Sequence, residues 1–586
     1  MGVPALFSTL IRNYNKPKDG SVIIRKNIKT SEVESKTNYL VHFHLDFNSV
    51  LYLCLRPDDH IEIKDEDVLI IHILAYLDKL VRMLIDTNGE ETQIGLLHIC
   101  LDGVSVEFKQ VQMRNRRMHS VIARYRTNEI NARYGDSSKE NLHNSEFDTN
   151  RFSPGTVFMH KLSAALRDHL SSEKIYSSVG EIILSDTLVP GEGEIKILQY
   201  IKTHPASSDI KTVIYALDAD VIIQSMISNQ SNIYLLRESG MFGHLGDFYD
   251  GTSFLYLDVD CLKKALLTEL ITSCPLMDAS PNKQQFINDL CMLFFMLGND
   301  FIPKIHHISI HHNGIAYLTS AYVASYTKLR SHLVDATNLL VNTAMYCEIL
   351  AILASREESY IKKFWAKRQC ERIPIKDDMS ERQRQQMLVN FLPLQYLEAE
   401  KDINPLSPKW EDRYYRKAFG FPASDTNIAN VVDFYLKSIV WNFRYYFGVD
   451  CPSWMFYYPY SYPPTLRQIF NHLASKVSDI NTRYRFEIGT PIAPQCLLVK
   501  VLSSHSKDFM ITSIRDKLAV EPELKPYFPE RYGINLLFNR YYHECTPQIP
   551  HLNRQLVEKI VSRCELTADE NERNKIGDIW IRKSYI

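Results

Sequence analysis

At 586 residues the chain is too long for one typical domain, so two or more lobes are expected. Its 45% hydrophobic and 23% charged content is that of a globular protein, and a net charge of −2 leaves any nucleic-acid binding to a local basic patch. Eleven scattered cysteines with no CxxC pair argue against a zinc ribbon and for a reducing compartment. With no bilayer-length apolar run and no secretory signal, the expectation is a soluble intracellular protein without membrane contact.

In chain order, Val41, Phe43 and Leu45 alternate and lead into Asp46, the pattern of a strand whose C-terminal end presents a carboxylate. Residues 67–85 have helical spacing, and a second strand over 94–102 ends on Asp102. Directly afterwards Lys109, Arg116, Arg117 and Arg124 share one broad helical face, with Arg114 and Arg126 nearby. A solvated cationic face is the common fate of such a run. One that starts a few residues beyond a carboxylate also suits a phosphate pocket, because guanidinium forks match phosphate oxygens. Residues 135–150 are polar and read as a surface loop.

Glu192 and Glu194 follow Pro190 and Gly191 and precede the helical spacing of Ile195, Leu198 and Ile201, which places them at a helix start where the dipole tolerates negative charge. A third strand over 212–218 delivers Asp218 and Asp220, whose side chains converge if that segment is extended. Phe286, Leu290, Leu293, Phe294 and Leu297 have helical spacing, and Gly298 ends that helix and sends Asn299 and Asp300 out of it. His306, His307, His311 and His312 form adjacent pairs with no cysteine, and are read as surface or packing residues rather than metal ligands. Residues 370–384 are charged and read as a connection between lobes, and aromatic residues concentrate beyond about 401.

Strands alternating with helices predict an α/β fold: a parallel-sheet lobe with carboxylates at the strands' C-terminal ends, where ligands of such sheets sit, plus a second, mixed, aromatic-rich lobe. A single aspartate at a strand end is usually a cap or turn residue. Five apolar stretches that together supply seven carboxylates change that balance, since buried unpaired like charges are costly. Two Mg²⁺ ions, with Mn²⁺ as a substitute, are the simplest counter-charge. Sites of this kind activate water against phosphodiesters. A P-loop, a dinucleotide-binding glycine fingerprint and Ser or Cys nucleophile motifs are absent.

The motifs LDFNSVLY, LDGVSVEFKQVQMRNRR, FDTNRFSPGTVFM, VPGEGEIKI, YALDADVI and FFMLGNDFIP, in this order, resemble those of the Xrn-type 5′→3′ exoribonucleases, and WEDRYYRKAF, PSWMFYYPYSYPP and YFPERYGINLLFNRYY continue the likeness to the end. The resemblance implies a short member with a catalytic domain over 1–330, a helical connection over 331–400 and a buttressing second region over 401–586. It implies that Asp46, Asp102, Glu192, Glu194, Asp218, Asp220 and Asp300 are the catalytic, metal-binding carboxylates. It also implies that Lys109, Arg116 and Arg117 hold the 5′-monophosphate of single-stranded RNA, that Arg114 is a further basic, substrate-binding position, and that Tyr52 stands where the family stacks a histidine on the first base. Met113 replaces a glutamine of that pocket, and the run around Trp454 resembles the segment that supplies a second stacking ring. Residues from Gly2 to about Leu10 are expected near the active-site entrance, and a cytoplasmic setting is favoured over a nuclear one. A flap-type DNA nuclease and a non-catalytic RNA-binding relative are the alternatives.

Overall fold

The computed structural model describes residues 6–15, 23–28, 39–55, 65–88, 92–134, 147–239 and 254–583. Residues 2–5 of the expected entrance segment, and most of the polar stretch 135–150, lie outside the described residues.

The central sheet is built from β1 (Ile24–Arg25), β2 (Tyr39–Asp46), β3 (Thr92–Cys100), β4 (Glu181–Ser185), β5 (Lys211–Tyr215), β6 (Ile233–Glu238) and β7 (Phe254–Asp258). Two short hairpins, β8 (Val334–Asp335) with β9 (Leu340–Val341) and β10 (Ile534–Asn535) with β11 (Thr546–Pro547), lie outside it, and β12 (Trp580–Lys583) rejoins it. The order is β1-β7-β6-β5-β2-β3-β4-β12. The five strands from β6 to β4 are parallel, and β1, β7 and β12 are antiparallel additions at the edges. The last strand of the chain therefore belongs to the first lobe's sheet, although its sequence position lies in the expected second region.

The chain crosses over through α2 (Phe47–Leu53) and α3 (Glu66–Asn88), then α4 (Glu107–Tyr134) and α5 (Val157–Ser172), α6 (Gly193–Thr203) and α7 (Asp220–Ile227), preceded by a short α1 (Leu6–Tyr14). Moving outward from β2, the sequence runs to β3 and β4 on one side and resumes at β5 on the other, so strand order reverses between β2 and β5. A reversal of this kind opens a crevice at the strands' carboxyl ends. Apolar side chains of α2, α3 and α5 cover one face of the sheet and those of α1, α6 and α7 the other, as a parallel sheet buried on both faces requires.

The second face does not end at those helices. Its core continues without a break through α8 (Val259–Ser273), α9 (Lys283–Phe294), α10 (Gly314–Leu329) and α11 (Thr343–Cys370). After α12 (Glu381–Asn390), α13 (Glu398–Ile403) and α14 (Trp410–Phe419), the same core takes in α15 (Asp425–Phe447). The charged stretch near 370–384 spans the break between α11 and α12. All eleven cysteines are unpaired, with Cys54, Cys100 and Cys291 buried as small core residues. No helix among the described residues is long and apolar enough to cross a membrane.

Candidate active site

Four parallel strands release their chains into the crevice in turn. Asp46 is the last residue of β2 and Asp102 lies two residues beyond β3. Glu192 is the N-cap of α6 and Glu194 lies in its first turn, while Asp218 and Asp220 follow β5. The aspartate pair is not an extended segment: Ala219 has helical backbone angles and Asp220 opens α7, so a helix start, not strand alternation, directs the two carboxylates. Asp300 arrives from the opposite direction. A single tight turn over Phe295–Leu297 extends α9, and Gly298 at φ +87° reverses the chain, a conformation costly for any residue with a Cβ.

The carboxylates are close enough to perturb one another. Burial, then Asp102 and Asp218, push the Asp46 carboxyl up to about 8. Burial and like charge raise Glu192 and move Glu194 well above the ordinary carboxylate range, with Asp218, Glu192 and Asp220 acting on Glu194. Lys109 stands among them, its Nζ 2.7 Å from Glu192 Oε2 and 2.8 Å from Asp300 Oδ2. Burial opposes the ammonium charge, but Asp300, Glu192, Glu194 and Asp218 hold it on, and Asp300 is kept low in return despite its own burial. Among the described residues no three of these groups converge on one point as ligands already do around an ion. The donor set still fits a hard divalent cation: all oxygen, all carboxylate, with more negative charge than the Lys109 ammonium balances.

Local hydrogen bonds orient individual oxygens. Asn48 Nδ2 donates to Asp102 Oδ2 at 2.7 Å, and Asn48 Oδ1 accepts from the Asp102 N–H. Ser49 Oγ donates to Asp46 Oδ2 at 2.7 Å and accepts from Leu217 N, which ties the β2 end to the β5 loop. The Gly193 N–H donates to Asp102 Oδ1 at 2.8 Å, and a Cβ at Gly193 would lie 2.7 Å from Asp46 Oδ1 and 2.9 Å from Cys100 O. The glycine between the two glutamates is there because nothing larger fits.

Two further residues come from the far end of α15. Tyr445 donates its hydroxyl to Glu192 Oε1 at 2.9 Å, and Tyr446 donates to Asp220 Oδ2 at 2.7 Å, both buried. Beneath them Phe108, Phe301, Trp441 and Tyr445 pack ring against ring, so the residues next to Lys109 and Asp300 share one aromatic bed with the tyrosines. Sequence reading placed these tyrosines in an aromatic-rich, buttressing region and gave them no contact with the carboxylates. The available signal was a Tyr-Tyr pair inside an apolar helix, where buried hydroxyls need acceptors.

The basic helix splits into separate tasks. Lys109 belongs to the acid cluster. Arg114 is buried and turned away: Nη1 donates to Lys500 O at 2.8 Å, Nη2 to Tyr527 O, and the guanidinium lies 5.1 Å over the Phe528 ring. Both terminal nitrogens of Arg114 thus hold α4 against the C-terminal region, and its buried Nε has no hydrogen-bond partner. Arg116 is exposed. Arg117 Nη2 donates to Ser153 Oγ at 2.8 Å, while its buried Nη1 has no hydrogen-bond partner. Tyr52 is near enough to influence Arg117 electrostatically, is 41% exposed, and stands edge-on to Phe152 at 5.5 Å. Met113 packs towards the apolar cluster of the C-terminal region, its Sδ 3.5 Å from Ser105 Oγ.

Trp454 acts through its backbone as well as its ring. Its carbonyl accepts from Glu107 N at 3.0 Å at the start of α4, and the half-buried ring packs against the main core. At the entrance, Phe7 of α1 lies 4.1 Å from the guanidinium of Arg237, whose Nη2 donates to Asp218 O at 2.7 Å, so the described part of the N-terminal segment borders the acid cluster. The histidines pack: His307 Nε2 lies 3.3 Å from Glu357 and His312 pairs with Ser309 Oγ.

Comparison with known proteins adds an independent line. The XRN 5′-3′ exonuclease N-terminus family matches residues 1–239, and the Xrn1 helical domain family matches residues 281–401 and 395–584. A 5′-3′ exoribonuclease 2 homolog of Drosophila melanogaster is 25% identical, with 99% of this chain and 73% of the relative covered. The 5′-3′ exoribonuclease 2 of Gallus gallus is 25% identical, covering 98% and 72% respectively. The human 5′-3′ exoribonuclease 1 is 24% identical over 98% of this chain but 35% of its own length.

Proposed function

From the chain's membership of the XRN 5′-3′ exonuclease family, which makes it an exoribonuclease, we propose that it removes nucleotides one at a time from single-stranded RNA bearing a 5′-monophosphate, releasing nucleoside 5′-monophosphates. The observation that carries this reading is Lys109 set among Asp300, Glu192, Glu194 and Asp218, about two helical turns before Arg117 on the same helix.

Asp46, Asp102, Glu192, Glu194, Asp218, Asp220 and Asp300 would hold the divalent cation, two Mg²⁺ or Mn²⁺ in their place. Bound there, the cation supplies water activation and charge neutralisation at the leaving oxygen. The chain's own residues set the substrate. Eight residues of α4 correspond to about 12 Å along its axis. A 5′-phosphate held by Arg116 and Arg117 would therefore put the first phosphodiester over the carboxylates, with the remaining N–H of Lys109 directed at a phosphate oxygen. The unpartnered Arg117 Nη1 is a donor that such a phosphate satisfies. Tyr52 would stack on the first base. Tyr445 and Tyr446 keep Glu192 and Asp220 turned inward, and α1 beside the Asp218 loop narrows entry to a single strand.

Digestion of one RNA sequence with a 5′-monophosphate, a 5′-hydroxyl or a 5′-triphosphate, with and without Mg²⁺, tests the reading. The expected result is Mg²⁺-dependent release of mononucleotides, fastest from the monophosphate. Equal rates on monophosphate and hydroxyl ends would return Arg116 and Arg117 to a solvated cationic face, and a preference for a branched DNA flap would replace the substrate class.

A further inference from the structure

A second polar cavity, of about 60 Å³, lies away from the seven carboxylates, between the segment 304–312, the last turn of α11 and the segment 538–544. It is roomy enough for several waters or one tetrahedral ion. We propose that this cavity is a binding site for a phosphate-class oxyanion, held by Lys367, Arg540 and His306.

The cavity is lined by more cationic than anionic side chains. Its lining carries Lys304, Lys367, Arg368 and Arg540 against two carboxylates, Glu371 and Glu544. Both carboxylates are already engaged. Glu544 accepts from Lys304 Nζ and from the backbone N–H groups of Arg540 and Tyr541. Glu371 accepts from Arg368, with Arg540 Nη1 at 3.4 Å. Arg368 is further satisfied by Glu400 behind the lining. Positive charge remains in excess even with Glu400 counted, and it rests chiefly on Lys367, whose Nζ donates to the uncharged carbonyl of His311, while Arg540 shares Glu371 with Arg368.

Unfilled hydrogen-bonding capacity points the same way. Both ring nitrogens of His306 are buried with no hydrogen-bond partner, and so is Arg540 Nε. The imidazole is held between Tyr462 and Phe538, with ring centres 6.3 and 5.3 Å away, so it cannot swing out to solvent without giving up that packing. Burial, then Lys304, His307 and Arg368, keep His306 neutral, leaving one N–H donor and one bare nitrogen acceptor. Monohydrogen phosphate accepts from the N–H of His306 and from Lys367 and Arg540. Water alone fills the volume but leaves the charge unbalanced.

The chemistry is common to orthophosphate and to the phosphomonoester of a mononucleotide, so both are used as probes. The measurement is calorimetric titration of the whole protein in EDTA with inorganic phosphate and, separately, with adenosine 5′-monophosphate. It is made on wild type, Lys367→Gln, Arg540→Gln and Arg117→Ala. Lys367 is exposed and Arg540 half-buried, so the glutamine variants should melt with the wild type in the absence of phosphate. Phosphate should still bind Arg117→Ala, in which the active-site phosphate pocket is impaired, and each glutamine variant should weaken binding at this cavity roughly tenfold. Tighter binding of the mononucleotide through the same two residues identifies a nucleotide site, and equal binding an orthophosphate site. No binding at tens of millimolar phosphate, or binding unchanged in both glutamine variants, overturns the proposal.

Discussion

Replacing Asp46 by asparagine should make the metal-free protein more stable at alkaline pH while abolishing nuclease activity. In the fold, burial and the neighbouring Asp102 and Asp218 move the Asp46 carboxyl from 3.8 to about 8. At 1.36 kcal/mol per decade, that penalises the ionised form by on the order of 5 kcal/mol. The sign follows from proton uptake. Between pH 4 and 8 the folded chain keeps a proton that the unfolded chain has lost, so stability is full below about pH 4 and falls as pH rises through 8. Asparagine keeps the shape and removes the charge, so the variant lacks this fall. An unfolding entropy of about 2.1 cal/mol/K per residue gives roughly 1.2 kcal/mol/K for 586 residues. Three decades of that fall, about 4 kcal/mol, lie between pH 5 and 8, so the wild type should lose about 3 °C more than Asp46→Asn between pH 5 and 9. Thermal melts in EDTA across that range, repeated with Mg²⁺, make the measurement. Mg²⁺ should recover the wild type and leave the variant unmoved. Parallel melting curves for the two proteins across the whole range would refute the idea that Asp46 is a repelled, buried carboxylate.

Tyr446→Phe removes one hydrogen bond to a carboxylate and should lower kcat roughly 10- to 100-fold without changing the melting temperature much, as measured by steady-state digestion at saturating Mg²⁺. Gly193→Ala places a methyl group against Asp46 Oδ1 and Cys100 O and should cost roughly 100-fold in rate, read together with a weakened Mg²⁺ dependence. Arg117→Ala should erase about one to two decades of preference for a 5′-monophosphate over a 5′-hydroxyl, measured as the ratio of initial rates. Arg114→Ala should leave that ratio intact and instead destabilise the protein by about 2–3 kcal/mol, seen in denaturant unfolding, because two carbonyls of the C-terminal region lose their donor.

The carboxylates were legible because each is announced locally. An apolar strand ends, and the next polar residue must stand at the sheet's carboxyl edge. That reasoning works for Asp46 and Asp102 without any knowledge of the rest of the chain. It works less well for Asp220, where the backbone turns helical one residue early. It fails for the basic helix, because spacing assigns residues to a face but does not say what covers that face. Arg114 meets Lys500 and Tyr527, and Glu107 at the helix start meets Trp454, partners hundreds of positions away. Met113 was noticed as a departure from the family pattern, but its burial against the C-terminal region depends on the same long-range packing. The edge strand Trp580–Lys583 carries an ordinary alternating pattern, and only the free edge of β4 gives it a place.

The same long-range contacts bear on how the acid cluster can exist. Carboxylates at the ends of strands and helices would move apart if only their own loops restrained them, since Asp46, Glu192 and Glu194 are repelled by acidic neighbours and a loop is soft. Restraint comes from three directions. Asn48 and Ser49 on α2 fix Asp102 and Asp46 from the strand side. Lys109 on α4 draws Glu192 and Asp300 towards a common cation. Tyr445 and Tyr446 on α15 hold Glu192 and Asp220 from the helical side, backed by Trp441 and Phe301. Glu192 is held by both Lys109 and Tyr445, so α4 and α15 meet at that one carboxylate. The helical region is therefore more than a cover over a finished nuclease lobe: its hydroxyls and its share of the core help set the spacing of the carboxylates to which a divalent cation would bind.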